Sequence, residues 1–279
     1  MAVIALASAK GSPGVTTTAL ALTLLWPRPA LYVEADIAGS TVIPGLLQGQ
    51  VDAEKGLRDL AISYATKGDL SDLWQQTYHP QQAANLPWKA LSGLDGVNET
   101  KALLPGIAGP QMSPILREVW RPLAAHLVSL ERGGVDVIVD LGRISAGRDE
   151  RDPLIAAADL VLLTTRSTLA NIAVTVQLHA ERAQGQDASA RELSNLGLLV
   201  VGPGQPHSVA EISRLTELSP LSETIAADGP AADVLANGAP AGKFTRSALV
   251  RSIPPTISAI QARVAARRAR LDAPVGARS

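Results

Sequence analysis

An apolar run, Val3-Ile4-Ala5-Leu6-Ala7, leads into Lys10-Gly11-Ser12-Pro13-Gly14-Val15-Thr16-Thr17, and a helix-periodic stretch, Ala19 to Leu25, follows at once. This order constrains the fold strongly. A continuous apolar run of that length fits a strand buried on both faces of a parallel sheet. Glycine lets the following turn bring backbone close to a ligand, while the free N–H groups and dipole of a helix start favour negative charge. The stretch is therefore a candidate phosphate cradle. Pro27 and Pro29 close the helix, and Ala30-Leu31-Tyr32-Val33-Glu34 supplies a second strand ending in Glu34-Ala35-Asp36. Such a strand-helix-strand unit places the loops after both strands at the same carboxyl edge of one sheet.

The same alternation runs on through the chain. Val135 to Asp140, Leu160 to Thr165 and Leu196 to Val201 are further buried strands by composition, with helices expected at 154–158, 171–182, 209–216 and 231–236. Pro114 to Arg132 reads as a helix interrupted at Pro122. Trp88-Lys89-Ala90-Leu91-Ser92, Ala102-Leu103-Leu104-Pro105-Gly106 and Thr224-Ile225-Ala226 are candidate short strands. The expected class is α/β, a doubly wound and mostly parallel sheet with helices on both faces. One domain spanning 1–279 is expected, with a less regular insertion around 41–109 and a basic terminal helix at 255–271.

Composition removes several kinds of chemistry. Cysteine is absent, so disulfides, thiolate metal sites and cysteine nucleophiles are excluded. His79, His126, His179 and His207 are scattered without ligand spacing. A net charge of −1 argues against a globally basic nucleic-acid binder, yet Lys243, Arg246, Arg251, Arg263, Arg267, Arg268, Arg270 and Arg278 near the C-terminus face Asp272 alone. On the expected terminal helix, Ile257, Ile260, Val264 and Leu271 share one side, a pattern open to a membrane surface, DNA or docking onto the sheet. The short N-terminal apolar run lacks a preceding basic region, so no signal peptide is expected, nor is any run long enough for a membrane span. A cytoplasmic protein is expected, with peripheral membrane contact as an option.

Ligands of open α/β sheets bind beyond the carboxyl strand ends. Three features converge there: the loop 10–17, Glu34 with Asp36, and Asp140. A threonine hydroxyl and strand-end acids are what a magnesium nucleotide requires. Lys10 to Thr16 resembles the deviant Walker A loop, K-G-G-x-G-K-[TS], of the MinD/ParA group of P-loop ATPases. Tyr32 to Asp36 resembles that group's second strand, which ends D-x-D, and Val137 to Asp140 its Walker B strand. Leu160 to Ser167 resembles its T-x-P segment and Asp228-Gly229-Pro230-Ala231-Ala232 its late D-P-x-A segment.

The resemblance implies ATP or ADP with magnesium as cofactor and a homodimer built around nucleotide. Partners would belong to chromosome partitioning or to pilus and secretion machinery. It makes Lys10 the signature lysine that reaches the partner subunit's phosphates, Thr16, Asp36 and Asp140 the residues on the metal side, and Asp36 catalytic together with Lys10. Gly11, Ser12, Pro13, Gly14, Val15 and Thr17 complete the nucleotide loop.

The departures fall on the phosphates. Val15 replaces the P-loop lysine, Pro13 has no N–H to donate, Ser12 replaces a glycine, and Gly202 stands where an adenine-contacting asparagine is usual. The loop and Glu34-Ala35-Asp36 together resemble actinobacterial members of the TadZ/CpaE type. Three readings stay open: a degenerate nucleotide-binding organiser with little or no ATP hydrolysis, a scaffold without nucleotide, and a dinucleotide oxidoreductase. The last is disfavoured because the loop is not G-x-G-x-x-G.

Overall fold

The computed structural model describes residues 2–11, 14–51, 55–94, 96–98, 100–184, 195–202 and 206–272. The apolar runs become strands β1 (Val3–Ser8), β2 (Ala30–Glu34), β3 (Lys101–Leu104), β4 (Asp136–Arg143), β5 (Leu160–Arg166) and β6 (Leu196–Val201), paired in the order β3-β2-β4-β1-β5-β6. Every pairing between them is parallel. Parallel strands need crossovers, and these carry α1 (Val15–Leu25), α2 (Leu57–Lys67), α3 (Trp88–Ser92), α4 (Trp120–Ser129), α5 (Asp152–Ala157) and α6 (Leu169–Gln184), while α7 (Val209–Thr216), α8 (Gly229–Ala236) and α9 (Ala248–Asp272) follow the last strand.

Alternation along the strands divides the core in two. Ala5, Ala7, Val139 and Leu163 face a cluster with Leu60, Leu123, Ile155, Ile172 and Ile212, contributed by α2, α4, α5, α6 and α7. Ile4, Leu6, Ile138 and Leu162 face the opposite cluster with Leu20 and Leu24 of α1, Val234 of α8, and Ile253 and Ile260 of α9. Helix α1 is buried along nearly its whole length because it lies across the centre of the sheet.

Several expectations are corrected. Trp88–Ser92 is helical, not a strand; its alternation is too short to distinguish the two periods. The helix expected over 114–132 is a 3₁₀ segment, Pro110–Leu116, followed by α4. Pro122 lies in the first turn of α4, where its missing N–H interrupts nothing. Thr224–Ala226 makes only an isolated bridge, Ile225 to Val201. Within 41–109 the chain forms a π-helical turn at Val42–Leu46 and α2, then supplies β3 to the edge of the main sheet.

The basic terminal helix runs from Ala248 rather than 255 and carries Pro254 and Pro255 within it. Its apolar face, including Ile257, Ile260 and Val264, is buried in the core and is not free to enter a membrane. Arg263 donates to the carbonyls of Ser219 and Leu196, and Arg268 pairs with Glu131 and Asp159, so these cations tie the helix down. Among the described residues no helix is long and apolar enough to cross a membrane.

Candidate functional site

The strand order sets β4 between β1 and β2, so the ends of all three lie side by side. Glu34 of β2 and Leu6 of β1 are both register partners of Asp140 on β4. One extra residue then enters β4, because Leu6 faces Asp140 while Ser8 faces Arg143. Bulges of this kind bend a strand and redirect its side chains. Gly142 lies at the irregularity with φ +57, and its carbonyl accepts a 3.3 Å bond from Ser8 Oγ.

The described part of the loop has the backbone of an anion cradle. Gly14 sits at φ +101, in the left-handed region that favours glycine, and precedes α1 without a side-chain cap. The amides at that helix start therefore have no competing side chain from Gly14. Lys10 and Gly11 are exposed, Thr16 and Thr17 are half-buried, and Val15 is only 5% exposed within the α1-side core. Ser12 and Pro13 lie outside the described residues. A lysine at position 15 would be expected at the phosphates; the valine turns into the core.

The expected metal-side residues are brought together. The Thr16 hydroxyl donates to Asp140. Asp140, fully buried, also accepts from Tyr32 Oη at 2.9 Å and from the Gly142 amide at 2.8 Å. Burial, reinforced by the charge of Glu34, pushes the Asp140 carboxyl up to about 7 against those three bonds. Asp36 stands directly over Gly142: a Cβ there would lie 2.0 Å from Asp36 Oδ2. Burial also raises Asp36, opposed by the Ala38 amide and the charge of Arg151.

Glu34 has a different part from the strand-end acid that sequence suggested. It is 1% exposed and folds the following loop about itself, accepting from Ser40 Oγ at 2.5 Å, the Thr41 amide at 2.7 Å and the Gly106 amide at 2.9 Å. Burial raises its carboxyl even so. These bonds connect the loop carrying Asp36 to the end of β3.

Arg151, within the charged run 148–152, was not singled out from sequence. It is 1% exposed and joins Asp149 at 2.7 Å. The remaining donors reach the carbonyls of Ala35 at 3.3 Å, Arg143 at 2.8 Å, and Leu141. One guanidinium thus ties the residue before Asp36 to the residues on either side of Gly142. Burial acts to raise Asp149, but the bonds and charge of Arg151 outweigh it and hold the carboxyl below its ordinary value. Tyr32 was likewise hidden in its apolar strand, and Gly142 gave only the signal of a glycine two residues after a strand-end acid.

These groups fit a magnesium nucleotide on the metal side: a helix-start hydroxyl, two acids and a glycine-opened space, all with oxygen ligands. Among the described residues no three His, Asp or Glu side chains converge as a metal cage of their own. A magnesium ion here would be held by Thr16, by Asp140 through water and by phosphate oxygens, lending charge neutralisation to the phosphates. A concavity of about 1350 Å³ lies elsewhere, along α5 between α4 and the end of α9. Several of its charges are paired with one another, Arg268 with Glu131 and Asp159, and Arg182 with Asp152.

No protein-family model matches the sequence, and no curated protein matches it. Solved structures do match the fold. A ParA family ATPase from Chlorobium tepidum TLS superposes with a TM-score of 0.64 at 16% identity, covering 92% of this chain and 98% of that one. The septum site-determining protein MinD of Pyrococcus horikoshii OT3, solved with Mg-ADP, gives 0.65 at 17% identity over 95% and 98%. An ATP complex of McdA from Cyanothece gives 0.64 at 15% identity over 94% and 96%. The chain therefore has the α/β fold of the MinD/ParA P-loop ATPases, as the loop, the strand-end acids and their order implied.

Proposed function

We propose that this chain is a MinD/ParA-like nucleotide-binding organiser whose phosphate loop has been altered, binding ATP or ADP with magnesium weakly and hydrolysing it slowly or not at all. It would act as a nucleotide-linked homodimer that positions chromosomal, pilus or secretion machinery, the TadZ/CpaE type being the finer assignment. Lys10, exposed beside the loop, would reach the partner's phosphates, and Asp36 would orient the attacking water. The observation that carries the reading is the joined set Thr16, Asp140, Gly142 and Asp36, with Gly14 left-handed two residues before Thr16. The magnesium side is built as a nucleotide would need it, while Val15 withholds the lysine.

A charge-assisted contact contributes roughly 1.5–3 kcal/mol, so its loss weakens phosphate binding by about one to two decades. Calorimetry of ATP and ADP, with and without magnesium, on the wild type beside Val15→Lys tests this. Weak, magnesium-dependent binding that tightens about 10- to 100-fold in the variant is expected. Absence of binding by both proteins would refute the reading and favour a nucleotide-independent scaffold, the alternative to which the burial of Val15 gives support.

A further inference from the structure

We propose that Arg166, at the end of β5, supplies from within the same subunit the positive charge toward the nucleotide phosphates that Val15 no longer provides. The inference rests on the nucleotide reading above. Arg166 is the register partner of Val201 on β6. Parallel register partners project from the same sheet face, and Val201 lies in the core cluster that contains Val15 and α1. Val201 also marks the loop's position: a Cβ on Gly14 would lie 3.6 Å from Val201 Cγ1. Arg166 therefore occupies the loop side of the sheet at the level of Gly14.

The strand on the other side of β5 leads into the same loop. There β5 pairs with β1, Ala7 opposite Leu163, and β1 is the strand that runs on into the loop 10–17. Adjacent strands lie about 4.8 Å apart, well within the reach of an arginine side chain. The guanidinium is exposed, whereas the six residues before it on β5 are buried, and among the described residues it has no acidic partner. Its backbone is held firmly. Thr165 is bonded to Thr175 at 3.2 Å, and Ser167 Oγ donates to the Gly202 carbonyl at 3.2 Å. A fixed base with a free planar fork suits bidentate recognition of phosphate oxygens.

The expected ligand portion is the polyphosphate rather than the base or sugar. Titration calorimetry with Mg-ADP, Mg-ATP and AMP would compare wild type, Arg166→Ala, Arg143→Ala and the double variant Val15→Lys/Arg166→Ala. Arg166→Ala is expected to weaken ADP and ATP about 10- to 100-fold and AMP much less. Arg143→Ala should change affinity less than about threefold, and the double variant should recover most of the loss. Wild-type binding that Arg166→Ala leaves unchanged overturns the assignment while leaving the nucleotide reading standing, as does a loss confined to Arg143→Ala. Wild type that binds none of the three overturns both.

Discussion

Replacing Arg151 by methionine tests how the two acid-bearing strand ends are held together. The variant keeps the length and apolar stem of the side chain but removes a guanidinium that bonds Asp149 and the carbonyls of Ala35, Leu141 and Arg143. Asp149, whose side chain is 2% exposed, then becomes a buried carboxylate without its cation. Breaking a buried pair from one side costs about 3–5 kcal/mol, largely through the uncompensated charge. At roughly 2–4 °C per kcal/mol for a chain near this size, Tm should fall on the order of 6–20 °C. Arg151→Lys keeps the charge but not the planar fork, so it should lose less and still fail to hold all three carbonyls. Urea unfolding gives the free energy, and amide exchange shows where it is lost. Exchange should accelerate first around Ala35 and Leu141–Arg143, ahead of β5 and β6. A methionine variant within about 1 kcal/mol of wild type would refute the account of Arg151 as the tie.

Two further perturbations probe other parts of the structure. Gly142→Ala places a Cβ 2.0 Å from Asp36 Oδ2 at φ +57, so Asp36 must move; a loss of about 1–3 kcal/mol in stability and loss of the magnesium-dependent gain in ADP affinity are expected, and unchanged values for both would refute the contact. Lys101, 1% exposed and bonded to the Arg28 and Asn98 carbonyls, is depressed by burial from 10.5 to about 8. Between those values the unfolded chain binds more protons than the folded one, so stability should rise with pH across roughly pH 8 to 10.5. Urea unfolding of Lys101→Met over that range should lack this rise, and an identical slope in both proteins would contradict it.

What sequence could reveal follows from how local each signal is. Strands β1, β2, β4, β5 and β6 are uninterrupted apolar runs punctuated by glycine, proline or acids, which burial on both faces demands. Asp36 and Asp140 were legible for the same reason, since each lies at the end of such a run, and Thr16 because it follows the glycine that opens α1. Arg151 was not, because three of its five guanidinium bonds go to carbonyls of distant strand ends, the other two go to Asp149, and its neighbours are charged. Trp88–Ser92 misled because five residues with only Leu91 fully buried carry no decisive period. The position of β4 between β1 and β2 makes Asp140 a neighbour of Glu34, yet strand order leaves no mark on any one segment.

That neighbour relation bears on the choice between a nucleotide site and an inert scaffold. Glu34 and Asp140 are register partners, both essentially without solvent, and burial raises both carboxyls. Without ligand the arrangement is costly, since neutral apolar groups of similar shape would avoid the desolvation. Glu34 meets part of that cost by bonding its own loop, which explains it structurally. Asp140 has no such return: its partners are Tyr32, the bulged Gly142 amide and the Thr16 hydroxyl beside the phosphate loop. A divalent cation at Thr16 would reverse the electrostatic penalty by favouring the carboxylate. In a scaffold with no ligand Asp140 would serve only to join Tyr32, Gly142 and Thr16, whereas on the proposed nucleotide reading its burial would also serve a magnesium ion.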